Sequence, residues 1–122
     1  MKCWGEARYL GDHVLRHAEH LLILAWETTE EFRDTGPLWE FLRHCRNASA
    51  HGGSFNLKYD EPRRPAEWGP FQITQELHGS RLFASRDESG VITQGLLHPG
   101  DPIRLLWDIE QAYPKMKVEP QG

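Results

Sequence analysis

The chain has 122 residues, a mass of 14.1 kDa and a formal net charge of −4, which is the size of one domain with a single core. Charged residues make up 26% and hydrophobic residues 39%, and this composition excludes a disordered polyampholyte. The acidic balance argues against nucleic-acid binding through overall positive charge, although it leaves room for a local basic site.

The sequence contains no pattern typical of a secreted or membrane protein. Its longest apolar run, Leu21 to Trp26, is far shorter than a membrane span. The first residues contain no apolar signal segment. The two cysteines, Cys3 and Cys45, are too few for a disulfide framework or a zinc finger. We therefore expect a reduced cytoplasmic protein that does not associate with a membrane.

A first helix is predicted in the N-terminal third of the chain. Apolar residues between Leu10 and Phe32 recur at spacings that keep one helical face. The start is open, because Asp12 fits an N-cap but earlier residues could add one or two turns. Gly36-Pro37 is expected to end the helix.

A second helix is predicted from Pro37, which suits the first helical position, to the segment His51-Gly52-Gly53. The short connection makes the two helices antiparallel neighbours. Its core face is expected to contain Leu38, Phe41, Leu42, Cys45, Ala48 and Ser49.

Two or three short strands are predicted between residues 71 and 93, with a two-residue turn at Gly79-Ser80. A third helix is predicted to begin with Asp101 as N-cap and Pro102 as the first helical residue. The expected fold is mainly α, with a small antiparallel β-hairpin or meander between the second and third helices. Residues 1–113 are expected to form a single domain, and residues 114–122 a polar C-terminal tail.

The second helix carries the densest chemistry in the sequence. At about 100° per residue, Arg43, Asn47 and His51 fall on the side opposite Leu38, and Arg46 lies at the edge of that face. Small residues interleave with them, so that another backbone could approach closely. The alternative is an ordinary solvated helix face whose basic residues complement the helix dipole.

The motif Arg46-Asn47-x-x-x-His51 resembles the signature of the HEPN superfamily (higher eukaryotes and prokaryotes nucleotide-binding domains). That signature is an Arg, commonly followed by a polar residue, with a His four to six residues after the Arg. The resemblance implies a helical bundle that dimerises and brings two motif helices together in a composite cleft. Many members are metal-independent endoribonucleases, often toxins or defence factors of bacteria, and some pair with a nucleotidyltransferase-type antitoxin. Others are non-catalytic binding modules.

The same residues suit RNA cleavage on chemical grounds. RNA can be cut without a metal when its own 2′-OH attacks the adjacent phosphate. The unperturbed pKa of histidine suits His51 for proton transfer, and the planar guanidinium of Arg46 suits binding of phosphate oxygens. Asn47 could hold the imidazole tautomer or bind a phosphate oxygen. These three residues are the predicted catalytic set, with no metal and no cofactor.

One motif supplies one histidine, whereas acid–base cleavage usually needs two proton-transfer groups. A homodimer would bring Arg46 and His51 of both chains into one site. The leading prediction is therefore a HEPN-type endoribonuclease that acts as a homodimer on RNA. The alternatives are a non-catalytic module that binds nucleotide, RNA or a protein partner, and a structural protein in which the motif is coincidental.

Basic residues interleaved with the aromatic residues Tyr59 and Trp68 follow the motif along the chain. Such a mixture can bind single-stranded RNA by phosphate contact and base stacking, although a solvated loop has the same composition. The residues expected to contact RNA are Arg43, His44, Lys58, Arg63 and Arg64.

Three histidines of the first helix, His13, His17 and His20, recur at helical spacing. Histidines at positions i and i+4 occur in metal sites, but no second ligand cluster is evident. We expect solvated or interface histidines rather than metal ligands.

Overall fold

The computed structural model describes residues 2–86, 90 and 92–113, with side chains from residue 14 onward except those of residues 85, 86 and 92. The described residues form three α-helices: α1 (Lys2–Thr28), α2 (Pro37–Ala50) and α3 (Asp101–Ala112). Between α2 and α3 lie two antiparallel hairpins of two-residue strands. They are β1 (Glu67–Trp68) with β2 (Phe71–Gln72), and β3 (Ser85–Arg86) with β4 (Ile92–Thr93). The prediction of a mainly helical chain with a small antiparallel β segment in this place is confirmed.

α1 ends earlier than predicted, at Thr28 instead of close to Gly36. The hydroxyl of Thr28 donates to the carbonyl of Leu24 at 2.8 Å, and that of Thr29 donates to Ala25 at 2.7 Å. Such local side-chain bonds compete with the helical ladder. The chain continues through a single 3₁₀ turn, Glu30–Phe32, so the prediction for this boundary was wrong.

α2 is the central element of the fold. α1 packs on one side of it and the β1–β2 hairpin on another. Trp39, Phe41, Leu42 and Cys45 are almost completely buried, whereas Leu38 is only half-buried. The buried face is therefore wider than that of an ordinary amphipathic helix.

The β1–β2 hairpin is anchored to α2 by aromatic rings. Trp68 stacks on Phe71 with ring centroids 5.3 Å apart, and Phe41 of α2 lies 5.8 Å from Trp68. Apolar burial between these rings stabilises the hairpin, since two-residue strands are too short to be stable alone.

The prediction that a two-residue turn at Gly79-Ser80 joins two strands of one hairpin was wrong. Gly79 donates its backbone N–H to Phe55 at 2.8 Å, and the N–H of Phe55 donates to Ser80 at 2.8 Å. The bridge Ser54↔Arg81 continues this pairing. Residues 79–81 therefore pair with Ser54 and Phe55, which follow α2, whereas the predicted strand at Phe71 pairs with β1.

α3 closes the core through Pro102, Leu105 and Ile109. The predicted N-cap differs, because the helix already includes Asp101 and its N-cap residue is Gly100. The Asp101 carboxylate instead accepts from the backbone N–H of the preceding His98 at 2.9 Å. Residues 114–122, expected as a polar tail, lie outside the described residues. None of the described helices has the length and apolar character that a membrane-spanning helix requires.

Candidate functional site

The motif occupies the C-terminal half of α2, where the helix ends at the surface. His51 follows the last helical residue and is exposed. Gly52 and Gly53 have φ of 80° and 84°, and the N–H of Gly53 donates to Ala48 at 2.8 Å. This bond is that of a Schellman ending, in which glycine takes the left-handed conformation without a Cβ penalty. A Cβ on Gly52 would meet nothing within 4 Å, so the space beside His51 is open.

Arg46 and Asn47 are joined by a hydrogen bond. The Arg46 Nη1 donates to Asn47 Oδ1 at 3.1 Å, and both side chains are half-buried. An arginine can only donate, so the amide oxygen of Asn47 must face the guanidinium. The amide NH₂ of Asn47 is consequently directed away from the Arg46 guanidinium. The Arg46 Nε is buried, and no described group accepts from it.

The small residues of the motif lie mainly in the core of this chain. Ala48 is 2% exposed and Ser49 is 9% exposed, whereas Ala50 lies at the surface. Two of the three small residues therefore serve packing within the chain. The burial of Ala48 and Ser49 agrees with their predicted place on the core face of α2, and of the three residues Ala50 lies where another backbone could approach.

Glu19 of α1 lies beside the end of the motif. Its Oε2 would be 3.4 Å from a Cβ placed on Gly53, two residues after His51. The sequence analysis missed this carboxylate, because only the packing of α1 on α2 brings the two segments together. The acidic residue is a possible second proton-transfer group within a single chain.

The N-terminal half of the same helix face is covered. Glu40, His44, Asn47 and His51 recur at helical spacing and share one side of α2. Glu40 is 5% exposed. Its carboxylate lies 3.3 Å from Arg43 Nη1 and 3.8 Å from Arg64 Nη1. The loop that carries Arg64 is therefore held over the first half of the motif face.

His44 is 2% exposed, so its predicted contact with RNA was wrong. The ring lies under the loop on the covered half of the face, and no described group bonds to its Nε2. Burial, and next the neighbouring Arg43 cation, lower the pKa of His44, while the carboxylates of Glu61 and Glu40 act in the opposite direction. A ring that is almost completely buried is not accessible to a phosphate of RNA.

The other predicted RNA-contacting residues lie at or near the surface. Arg63, Arg64 and Lys58 are exposed, and Arg43 is half-buried. Arg63 Nη2 lies 2.8 Å from the Asp60 carboxylate. Local carboxylates therefore partly offset the positive charge that the sequence predicts for this segment.

The loop from Tyr59 to Pro65 borders an open hollow of about 500 Å³ against the β2 end of the hairpin. The ring of Tyr59 is 93% exposed and is available for base stacking. Trp68 is not available, because it is buried and its Nε1 donates to Asp108 at 2.7 Å. Of the two aromatic residues that the sequence suggests for RNA binding, the structure thus leaves Tyr59 at the surface.

The remaining candidates provide no further site. His17 and His20 are exposed, and the His13 side chain lies outside the described part. Among the side chains that the structure describes, no three His, Cys, Asp or Glu residues form a group that could hold a metal ion. Cys45 is buried, and burial raises the pKa of its thiol, so this thiol is unsuited to nucleophilic chemistry.

Comparison with known proteins gives no relative. No family model, no curated protein and no solved structure matches the chain.

Proposed function

We propose that the chain is a metal-independent endoribonuclease of HEPN type, with Arg46 and His51 catalytic and Asn47 supporting. The observation that carries the proposal is the Arg46–Asn47 hydrogen bond beside an exposed histidine at the end of the same helix. The bond fixes the Arg46 guanidinium against the amide oxygen of Asn47 one turn of helix before His51. The resemblance of Arg46-Asn47-x-x-x-His51 to the HEPN signature agrees with this use.

The proposed reaction is a transesterification. The 2′-oxygen of the RNA bonds to the adjacent phosphorus and loses its proton to a base, and the bond from phosphorus to the 5′-oxygen breaks. The leaving 5′-oxygen takes a proton from an acid. His51 transfers one of these protons, and Arg46 stabilises the charge on the phosphoryl oxygens. The products are a 2′,3′-cyclic phosphate and a 5′-hydroxyl.

Two proton transfers need two groups, and each chain supplies one motif histidine. We propose a homodimer in which His51 of a second chain supplies the other group in a composite cleft. Ala50 and Gly52 leave space at the surface end of the motif, which supports a close approach there. Glu19 is the alternative donor or acceptor within one chain. The proposed setting is bacterial defence or toxin–antitoxin control in the cytoplasm, with a nucleotidyltransferase-type antitoxin as a possible partner.

The proposed RNA path follows the motif face of α2. The strand would pass from His51 and Asn47 to Arg43, and then to the loop that Arg64 fixes through Glu40. From Arg43 to His51 the path along the helix axis is about 12 Å, at about 1.5 Å per residue. Tyr59 would stack a base at the far end of the path.

The second candidate function is a non-catalytic module that binds RNA, nucleotide or a protein. The observation that favours it is the engagement of Arg43, Arg63 and Arg64 with carboxylates of the same chain. This pairing leaves less free positive charge for a phosphate backbone than an efficient nuclease would offer.

The test is incubation of the purified chain with a labelled single-stranded RNA in the presence of EDTA. We expect cleavage with a 2′,3′-cyclic phosphate end, and loss of cleavage in the variants Arg46→Ala and His51→Ala. Arg104→Ala and His98→Ala are matched controls, because both residues are exposed and lie outside the motif. Unchanged cleavage in both motif variants would refute the catalytic assignment, whereas RNA binding without cleavage would favour the non-catalytic module.

A further inference from the structure

An apolar groove of about 500 Å³ lies between α1 and α3. Leu21 and Leu24 of α1 form one wall, and Leu106 of α3 forms the other. The floor includes Trp39 and Leu42 of α2. The groove therefore lies directly over the central helix.

The rim of the groove exposes unusually large apolar side chains. Leu24 is 58% exposed, and Phe32, at the end of the groove, is 36% exposed. On α3, Ile103 lies about 60° from Leu106 on the helical wheel and is 66% exposed. An apolar surface that continues across two helices marks an interaction site rather than a random exposed residue.

The charged residue that lines the groove, and the charged residues in the sequence around its α1 end, are mainly acidic. Glu110 lines the α3 wall, and the exposed residues Glu27, Glu30 and Glu31 surround the end at which α1 stops. None of the described residues that line the groove is basic. Arg43 and Arg33 directly follow the lining residues Leu42 and Phe32. However, Arg43 Nη1 lies 3.3 Å from the Glu40 carboxylate, and the Arg33 guanidinium lies 3.7 Å above the ring of Trp26. Trp26 is about 200° around α1 from Leu24, so the Arg33 cation is held on the other side.

From this combination we infer that the groove binds a basic amphipathic helix of another protein. A helix laid between α1 and α3 would complete a four-helix arrangement over α2, with apolar residues at positions i, i+3, i+4 and i+7 buried in the groove. Lysine or arginine residues on its flanks would meet Glu110 and the acidic end of α1. A second copy of this chain fits less well, because it would bring the same acidic rim to the contact.

The experiment uses two synthetic peptides with the same leucine pattern at helical spacing. One peptide has lysine and its matched control has glutamate at the flanking positions. Binding to the full chain is measured by calorimetry. We expect saturable one-to-one binding of the lysine peptide that weakens with salt, and binding of the glutamate peptide that is at least about tenfold weaker.

Single substitutions inside and outside the groove test whether the lysine peptide binds there. Leu24→Asp should weaken binding of the lysine peptide by about tenfold or more, and Glu110→Lys should weaken it less strongly. Tyr59→Asp, a similar change at an exposed residue outside the groove, should leave binding unchanged. Absence of binding, equal binding of both peptides, or full binding to Leu24→Asp would overturn the inference.

The oligomeric state of the unliganded protein tests whether a second copy of this chain occupies the groove instead. If Leu24→Asp converted a dimer into a monomer, the groove would be an interface between copies of this chain, and the inference would be wrong. The inference does not rest on the proposed ribonuclease activity. RNA cleavage by Leu24→Asp, measured in parallel, separates failure of the groove from failure of the motif.

Discussion

Trp68 donates its indole N–H to the carboxylate of Asp108 at 2.7 Å, across 40 positions of the chain. The bond joins the β1–β2 hairpin to α3 and satisfies a polar group inside an otherwise apolar cluster.

Removal of this acceptor should destabilise the fold without affecting the motif. We expect Asp108→Ala to lower the free energy of unfolding by about 1–3 kcal/mol, because a buried N–H would lose its only described partner. Urea unfolding followed by tryptophan fluorescence measures the change. Gln111→Ala, an exposed substitution on the same helix, should change stability by less than about 0.5 kcal/mol. An equal effect of both substitutions would show that the bond contributes nothing.

Asn47 offers a separate test of the motif. Asn47→Asp should preserve the hydrogen bond from Arg46, but it replaces an amide donor with an anion beside the proposed phosphate position. We expect Asn47→Asp to reduce the initial rate of RNA cleavage by at least about tenfold relative to the wild-type chain. This reduction should be larger than the one caused by Asn47→Ala. The exposed residue Asn56 supplies the control Asn56→Asp. A rate for Asn47→Asp equal to that of the wild-type chain would remove Asn47 from the site.

Arg64 tests the RNA path. If its guanidinium contacts one phosphate, Arg64→Ala should weaken binding of RNAs of different sequence to a similar extent. It should also reduce the slope of log affinity against log salt by about 0.7 for a single strand. Fluorescence anisotropy at several salt concentrations measures both quantities. Arg104→Ala, on α3, should leave the slope unchanged, and an unchanged slope in Arg64→Ala would place the strand elsewhere.

His44 predicts a pH dependence of stability. Its pKa in the folded chain is lowered from 6.5, chiefly by burial, so the unfolded chain binds more protons below that pH. Stability from this group is present above pH 6.5 and is lost as the pH falls toward the lower folded pKa. We expect the urea midpoint to decrease between pH 7.5 and 5.5, and the decrease to be smaller in His44→Gln. His98→Gln, at an exposed position, should show the same decrease in urea midpoint as the wild-type chain. If His44→Gln also showed the full decrease, the pH dependence would come from groups other than His44.

The helix starts marked by proline could be predicted from sequence. Pro37 begins α2, and Pro102 lies in the first turn of α3, because proline fixes φ and needs no helical donor there. The end of α1 could not be predicted, since it depends on whether the Thr28 and Thr29 hydroxyls turn back to the preceding carbonyls. The pairing of Phe55 with residues 79 and 80 is nonlocal and has no marker in either segment.

The candidate site, like the fold, could be predicted from the sequence only in part. Arg46, Asn47 and His51 could be located because helical spacing places them, whereas burial of the helix on a second side could not be foreseen. An amphipathic pattern assumes one buried face. Here the loop held by Arg64 and Glu40 also covers His44. Glu19 was missed because its proximity to Gly53 depends on how α1 packs on α2.

The burial of α2 on more than one side bears on how its substitutions are interpreted. Core positions such as Leu42, Cys45 and Ala48 alternate along the helix with the motif positions. Because they share one rigid element, a cavity made at a core position would also displace the guanidinium of Arg46. A mutational scan scored by activity alone would merge both sets into one continuous sensitive stretch. Measuring the abundance of folded protein together with activity would separate the two sets. Core substitutions would lower the abundance of folded protein, motif substitutions would lower only the activity, and the two kinds would alternate with the period of a helix.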